Sequence, residues 1–266
     1  MKITRFAPSP TGNLHIGGVR TALFNFVFSK QAGGLFLIRI EDTDRERSKK
    51  EYEEDIISGL EWLGISADKT PIRQSERSDV YQKAAEKLID SGNAYWCDCS
   101  PEDLEAMREQ QMAAGKKPMY DGRSRNLGLE RSKNTVLRLA TPIDGETIVK
   151  DLIRGDITFK NSELDDLILL RSDGTPTYHF CNVVDDYDQG ITTVIRGEDH
   201  ISNTPRQIHI QKALGYKELE YAHLPLVLGE DKKRLSKRHA ATSLNAYKEM
   251  GCLLYTSDAA DEHSWG

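Results

Sequence analysis

Apolar positions along the chain follow two alternating rhythms. KITRF is a short apolar run after the initiator, and GLFLIRIED is nearly continuous, the pattern of a strand buried on both faces. Between them, GGVRTALFNFVFSKQ sets Ala22, Leu23, Phe26 and Val27 at helical spacing. SKKEYEEDIISGLEWLG then carries Tyr52, Ile56, Leu60 and Leu63 along one stripe before Gly64, a stop signal. Strand, helix, strand, helix predicts a parallel sheet, because parallel neighbours need a crossover between them.

From about Val80 to Val184 the rhythm changes. DVYQKAAEKLIDSG and SPEDLEAMREQQMAAG read as helices, the second with Ser100 as N-cap, Pro101 in its first turn and Asp103 three residues on. Short strand candidates follow in TVLRLA, ETIVK, ITFK and DDLILLR. GITTVIRGE, NTPRQIHIQKALG and HLPLVLG then restore strand, helix and strand. An α+β segment inserted into a parallel sheet accounts for this order.

Composition narrows the class without choosing the function. The 266 residues are 38% hydrophobic and 29% charged, with no low-complexity tract or internal repeat, which sets aside fibrous and solenoid architectures. No run approaches the roughly 20 apolar residues of a membrane span, and no signal pattern opens the chain, so a cytoplasmic location is expected. Four cysteines are too few for a disulfide scaffold. A net charge of −6 excludes a uniformly basic coat, although a local basic face remains open because distribution sets the field.

Two stretches carry candidate chemistry. RFAPSPTGNLHIGG leads from the first strand into the first helix, the place where α/β folds present backbone N–H groups and a helix dipole to phosphates. Gly17 and Gly18 hold no side chain over the helix start, and His15 is a donor at its lip. EDKKRLSKRH packs Lys232, Lys233, Arg234, Lys237, Arg238 and His239 behind a strand candidate, a cationic segment able to neutralise a polyphosphate. Each alone also reads as a turn or a solvated charge run; together they describe a two-sided phosphate clamp.

PSPTGNLHIGG resembles the His-Ile-Gly-His signature of class I aminoacyl-tRNA synthetases, and RLSKR resembles their Lys-Met-Ser-Lys-Ser signature. With RIEDTDRERS, YDGRSR, PTYHFCNVVDD and VIRGEDHISNTPRQ in the same order, the chain is similar to glutamyl-tRNA synthetases over about residues 1 to 250. The resemblance implies a Rossmann-like parallel sheet at 1–79 and 185–240, split by an α+β domain at 80–184 that binds the tRNA acceptor end. Residues 241–266 would begin a stem-contact region and end in an atypical, foreign or misread tail.

The same resemblance implies that glutamate is joined to AMP from ATP and passed to the 3′ end of tRNA. His15 and Lys237 would be catalytic; ATP would be held by them with Gly17, Gly18, Asp199, Val227, Arg234 and Ser236, and Mg²⁺ would accompany the triphosphate. Glutamate would meet Arg5, Ala7, Ser9, Glu41, Tyr178, Asn182 and Arg196, with Arg5 on its side-chain carboxylate, Arg196 sharing the pair of carboxylates and Glu41 on the α-ammonium. Glu41, Asp42 and Asp44 also read as an acidic turn paired with Arg45 and Arg47. Some relatives hold zinc at the position of Cys97 and Cys99, but Ser124 and Asn126 are poor ligands and no zinc is expected. The expected partners are tRNA and glutamate, with no membrane and a monomeric chain. The alternatives are a short paralogue that glutamylates a queuosine base in tRNA and a non-catalytic nucleotide- or tRNA-binding fragment; two arginines for an acidic ligand count against a glutaminyl enzyme.

Overall fold

A computed structural model describes residues 1–227 and 243–251. By contacts the chain divides into two compact units, Met1–Arg73 with Thr192–Asp199 and Leu224–Gly266, and Gln74–Ile191 with His200–His223.

The first unit is α/β. Strands β1 (Ile3–Phe6), β2 (Leu35–Ile40) and β3 (Ile72–Arg73) are parallel in that order, joined by helices α1 (Ile16–Gln31) and α2 (Lys50–Trp62). Phe6, Phe36, Ile38 and Ile40 alternate onto one face and pack with Ala22, Ile56 and Leu60 from the two helices. The face of α1 turned inward differs from the spacing read in the sequence. Val19, Ala22, Asn25 and Ser29 are buried, whereas Leu23 and Val27 are 45% and 40% exposed. Polar hydrogen bonding decides this. The Asn25 amide donates to the Ile195 carbonyl at 2.9 Å, and the Thr4 hydroxyl donates to the Asn25 carbonyl at 2.8 Å. A large residue on that stripe would hold the helix off the strands.

The second unit is α+β. Helices α3 (Ser78–Asp90) and α4 (Pro101–Ala113) flank the antiparallel strands β4 (Ala94–Cys97), β5 (Val136–Leu139) and β8 (Ile168–Leu170). Hairpin β6 (Glu146–Asp151) and β7 (Gly155–Lys160) is antiparallel, and β10 (Glu220–Leu224) lies parallel to β6 with Tyr221 opposite Asp151. The sequence places the last strand in HLPLVLG, but it starts earlier and stops before Pro225, which has no N–H for a ladder. Helices α5 (Tyr178–Asp188) and α6 (Thr204–Leu214) complete the core, where Phe180, Val184 and Ile210 pack on Leu88 and Leu169. Ser100 caps α4 in a reciprocal capping box with Asp103, with Pro101 in the first turn, as its sequence predicts.

β9 (Thr193–Gly197) returns to the first unit beside β1, where the Ile3 and Thr192 backbones and the Thr192 hydroxyl exchange hydrogen bonds of 2.9 Å. α7 (Leu244–Glu249) inserts Leu244 into the core of the first unit.

Candidate functional site

The carboxyl ends of β1 and β2 are tied together by the turn between β1 and α1. The Glu41 N–H donates to the Pro8 carbonyl at 2.9 Å, and Lys49 N–H to Pro10 at 3.0 Å. Asp55 on α2 accepts from the Leu14 N–H at 2.8 Å and, through its other oxygen, from the Asn245 amide at 2.6 Å. Gly59 lies beneath this junction, since a Cβ there would come within 3.0 Å of Leu14 and 2.9 Å of Leu244.

His15 is exposed and is itself the N-cap of α1. Its Nδ1 accepts from the Gly18 N–H at 3.2 Å, so the neutral ring carries its proton on Nε2. Gly17 is needed for that pose: a Cβ would stand 3.1 Å from the ring's Cε1 and Nδ1. A Cβ at Gly18 would press on Leu14 at 3.2 Å. These glycines seat the ring and spare the core packing beneath it.

Arg234, Ser236 and Lys237 lie outside the described residues, as does the tail 252–266. Both flanks of the basic segment are described, and both are fixed near the start of α1. On the amino side, Arg20 donates to the Pro225 carbonyl at 2.6 Å, and the Leu226 N–H donates to Glu198 at 2.8 Å, beside Val227. On the carboxyl side, Ser243 bridges His15, and the Leu244 N–H donates to the Leu14 carbonyl at 2.9 Å. Asp199, in the 3₁₀ turn Glu198–Asn203, fills the space over Gly197; a Cβ on that glycine would fall 2.5 Å from its carboxylate.

The cationic residues lie inside strands. Arg5 in β1 is 3% exposed and Arg196 in β9 is 5% exposed. Glu41 is buried immediately after β2 and accepts from Arg39 Nη2 at 3.1 Å. Of the acidic turn, Asp44 is the residue that pairs with Arg47, at 2.6 Å, and that guanidinium lowers its pKa. Ala7 is half-buried and Ser9 exposed in the same turn. Tyr178 and Asn182 belong to α5 in the second unit, where Tyr178 OH lies 3.3 Å from His200 Nδ1 and Asn182 accepts from Gln207 at 3.3 Å.

Cys97 Sγ lies 3.3 Å from the Tyr120 hydroxyl, and Cys99 Sγ 3.8 Å from Ser124 Oγ. Burial works to raise the Cys97 pKa, but hydrogen bonding with Tyr120, the Cys99 backbone, Ser124 and Arg138 outweighs it and lowers it. Among the described residues no group of three or more His, Cys, Asp or Glu side chains is placed to hold a metal ion, and no helix is long and apolar enough to cross a membrane.

Sequence reasoning passed over Asp55, Arg20, Glu198 and Arg39. Only Arg39 left a local signal, a charged residue inside an otherwise apolar strand. The other three act through backbone partners far along the chain.

Residues 2–256 match the family model described as tRNA synthetases class I (E and Q), catalytic domain. A glutamate–tRNA ligase of Thermodesulfovibrio yellowstonii is 56% identical over 255 residues, covering 96% of this chain and 54% of its own. That of Geobacter sulfurreducens is 56% identical over 250 residues, with 94% and 54% covered. The crystal structure of a glutamate tRNA ligase from Elizabethkingia meningosepticum in complex with its amino acid superposes with a TM-score of 0.81 at 38% identity, covering 94% of this chain and 53% of that one. The chain thus spans about half the length of the curated relatives it matches. These matches agree: the chain belongs to the class I tRNA synthetases (E and Q), matched over their catalytic domain.

Proposed function

We propose that this chain is the catalytic part of a glutamate–tRNA ligase, which activates glutamate with ATP and transfers it to the 3′ end of tRNA in the cytoplasm. The observation that carries the reading is the double anchoring of the basic segment. Its amino flank is held by Glu198 and by Arg20 in the second turn of α1, and its carboxyl flank by Leu14 and His15 at the start of that helix. Lys237 itself lies outside the described residues, and the reading rests on where its flanks are held.

In the first step an oxygen of the glutamate α-carboxylate attacks the α-phosphorus of ATP, and pyrophosphate departs with the broken bond's electrons. Charge builds on the phosphates, so the chain must position and neutralise rather than supply a nucleophile. His15, with Nδ1 occupied by its own helix cap, offers Nε2–H to a phosphate oxygen, and Lys237 with Arg234 and Ser236 supplies the opposing side of the clamp. Gly17 and Gly18 border the phosphates, and Asp199 and the Val227 backbone flank the nucleoside. Mg²⁺ would accompany the triphosphate without a site built wholly from protein, and would help neutralise the phosphate charge.

Arg5 and Arg196 fork onto the two substrate carboxylates, and Glu41 accepts the α-ammonium, with Ala7 and Ser9 in the adjoining turn. Roles for Tyr178 and Asn182 in binding glutamate rest on the resemblance of PTYHFCNVVDD, as does assignment of the second unit to the tRNA acceptor end.

Glutamate-dependent exchange of pyrophosphate into ATP, with tRNA present, tests the reading. Lys237→Ala should abolish exchange, while Arg5→Ala should damage glutamate use far more than ATP use. Exchange untouched by Lys237→Ala would refute the clamp, and glutamate appearing on an internal tRNA base rather than the 3′ end would reassign the acceptor.

A further inference from the structure

We propose that Arg39 is the positioning residue for Glu41, setting the orientation of the carboxylate that reads the substrate's ammonium. The inference rests on the function proposed above and extends it to a residue which that reading leaves without a role.

Phe36, Ile38 and Ile40 of β2 face the hydrophobic core, so by the period of a strand Leu37, Arg39 and Glu41 share the opposite face. Arg5 stands opposite Leu37 in the parallel register, which brings it to that same face. Arg39 heads the fully buried side chains by volume, and it is 0% exposed. Its Nη2 donates to Glu41 Oε1 at 3.1 Å. An apolar residue of similar volume in a central strand would serve stability as well or better, because a buried ion pair seldom repays its desolvation. The pairing therefore calls for another explanation, and the geometry supplies one. Arg39 and Glu41 are two residues apart on one rigid strand, and the Glu41 backbone is fixed by the Pro8 carbonyl. A planar guanidinium holding one carboxylate oxygen sets the plane and direction of the whole group.

The test compares glutamate with glutarate, which has both carboxylates and no ammonium, by ligand-induced thermal shift and competition binding on the full chain. The wild type should prefer glutamate. Glu41→Gln should reduce that preference, and Arg39→Met should reduce it similarly, on the order of 10- to 100-fold. Arg39→Lys should recover part of it, and the double variant should be no worse than Glu41→Gln alone. The KM for ATP should stay near wild type in pyrophosphate exchange while the KM for glutamate rises. Arg39→Met with wild-type melting temperature and an intact preference for glutamate would overturn the proposal. If Arg39→Met does not fold, Arg39→Gln carries the same comparison with the same outcomes. Failure of the wild type to bind glutamate would sink the proposed function instead.

Discussion

Replacing Gly17 by Ala should separate stability from activity. The added Cβ would lie 3.1 Å from Cε1 and Nδ1 of His15, tighter than an ordinary contact of 3.4–4 Å. The ring must give way, and its cap bond to the Gly18 N–H is already 3.2 Å long. A retreat of about 0.4 Å stretches that bond to roughly 3.6 Å, where it no longer counts as one. Losing the cap costs about 1 kcal/mol, whereas exchanging glycine for alanine in a helix returns up to about 1 kcal/mol. Stability should therefore change by less than about 1 kcal/mol. The chemistry has no such compensation. A contact group displaced by a fraction of an ångström to 1 Å from its productive position costs up to about 100-fold. Denaturant unfolding and pyrophosphate exchange on the same preparation read both quantities. Gly17→Ala with ATP kcat/KM within about twofold of wild type would refute the claim that this glycine exists to seat His15.

Two further predictions concern the scaffold. Asp55→Ala leaves the Leu14 N–H and the Asn245 amide without their acceptor and should cost about 2 kcal/mol in denaturant unfolding, with Asp55→Asn losing less; a cost below about 0.5 kcal/mol would show that the junction does not depend on it. His209 should confer an acid sensitivity: burial, with Lys212 nearby, lowers its pKa to about 4 from 6.5, so the unfolded chain takes up the proton first as pH falls. Its contribution is complete above about pH 6.5 and is lost toward pH 4, about 2 kcal/mol of it by pH 5. His209→Gln, which keeps a polar group for Thr147, should flatten that part of the stability–pH curve, and an unchanged slope would refute the assignment.

What was legible in the sequence followed from local physics. β2 announced itself because burial on both faces leaves an apolar run, and α4 because its capping box joins groups three residues apart. The inward face of α1 was misjudged because apolar spacing carries no record of Asn25 bonding to Ile195, 170 positions away. α5 had no helical signature for a related reason. Phe180 to Asp186 are buried without a break, so no stripe stands out, and Asp185 is accommodated by Arg77, Gln74 and Tyr81 from more than a hundred positions earlier. The site divided along the same line. The turn that carries His15 and the glycines after it could be read directly as the entry to α1. Asp55 and Glu198, which work by fixing backbone brought from elsewhere, could not.

Under the proposed function, that division bears on how the described flanks of the basic segment would serve Lys237. A lysine on a tethered loop pays an entropy cost each time it is brought to a phosphate, and the cost depends on how far apart and how firmly the loop's ends are held. Here one end is fixed by Arg20, in the second turn of α1, and the other by Leu14 and His15, at the start of the same helix. Both described flanks therefore meet the helix that His15 caps. Displacing the helix would displace His15 and both described flanks together. A transition state stabilised by position and charge rather than by a protein nucleophile depends above all on the spacing of the groups that stabilise it. If Lys237 has the role proposed for it, loosening either anchor should act on turnover more than on ATP affinity, because the transition state would need the lysine in place more than the ground state does.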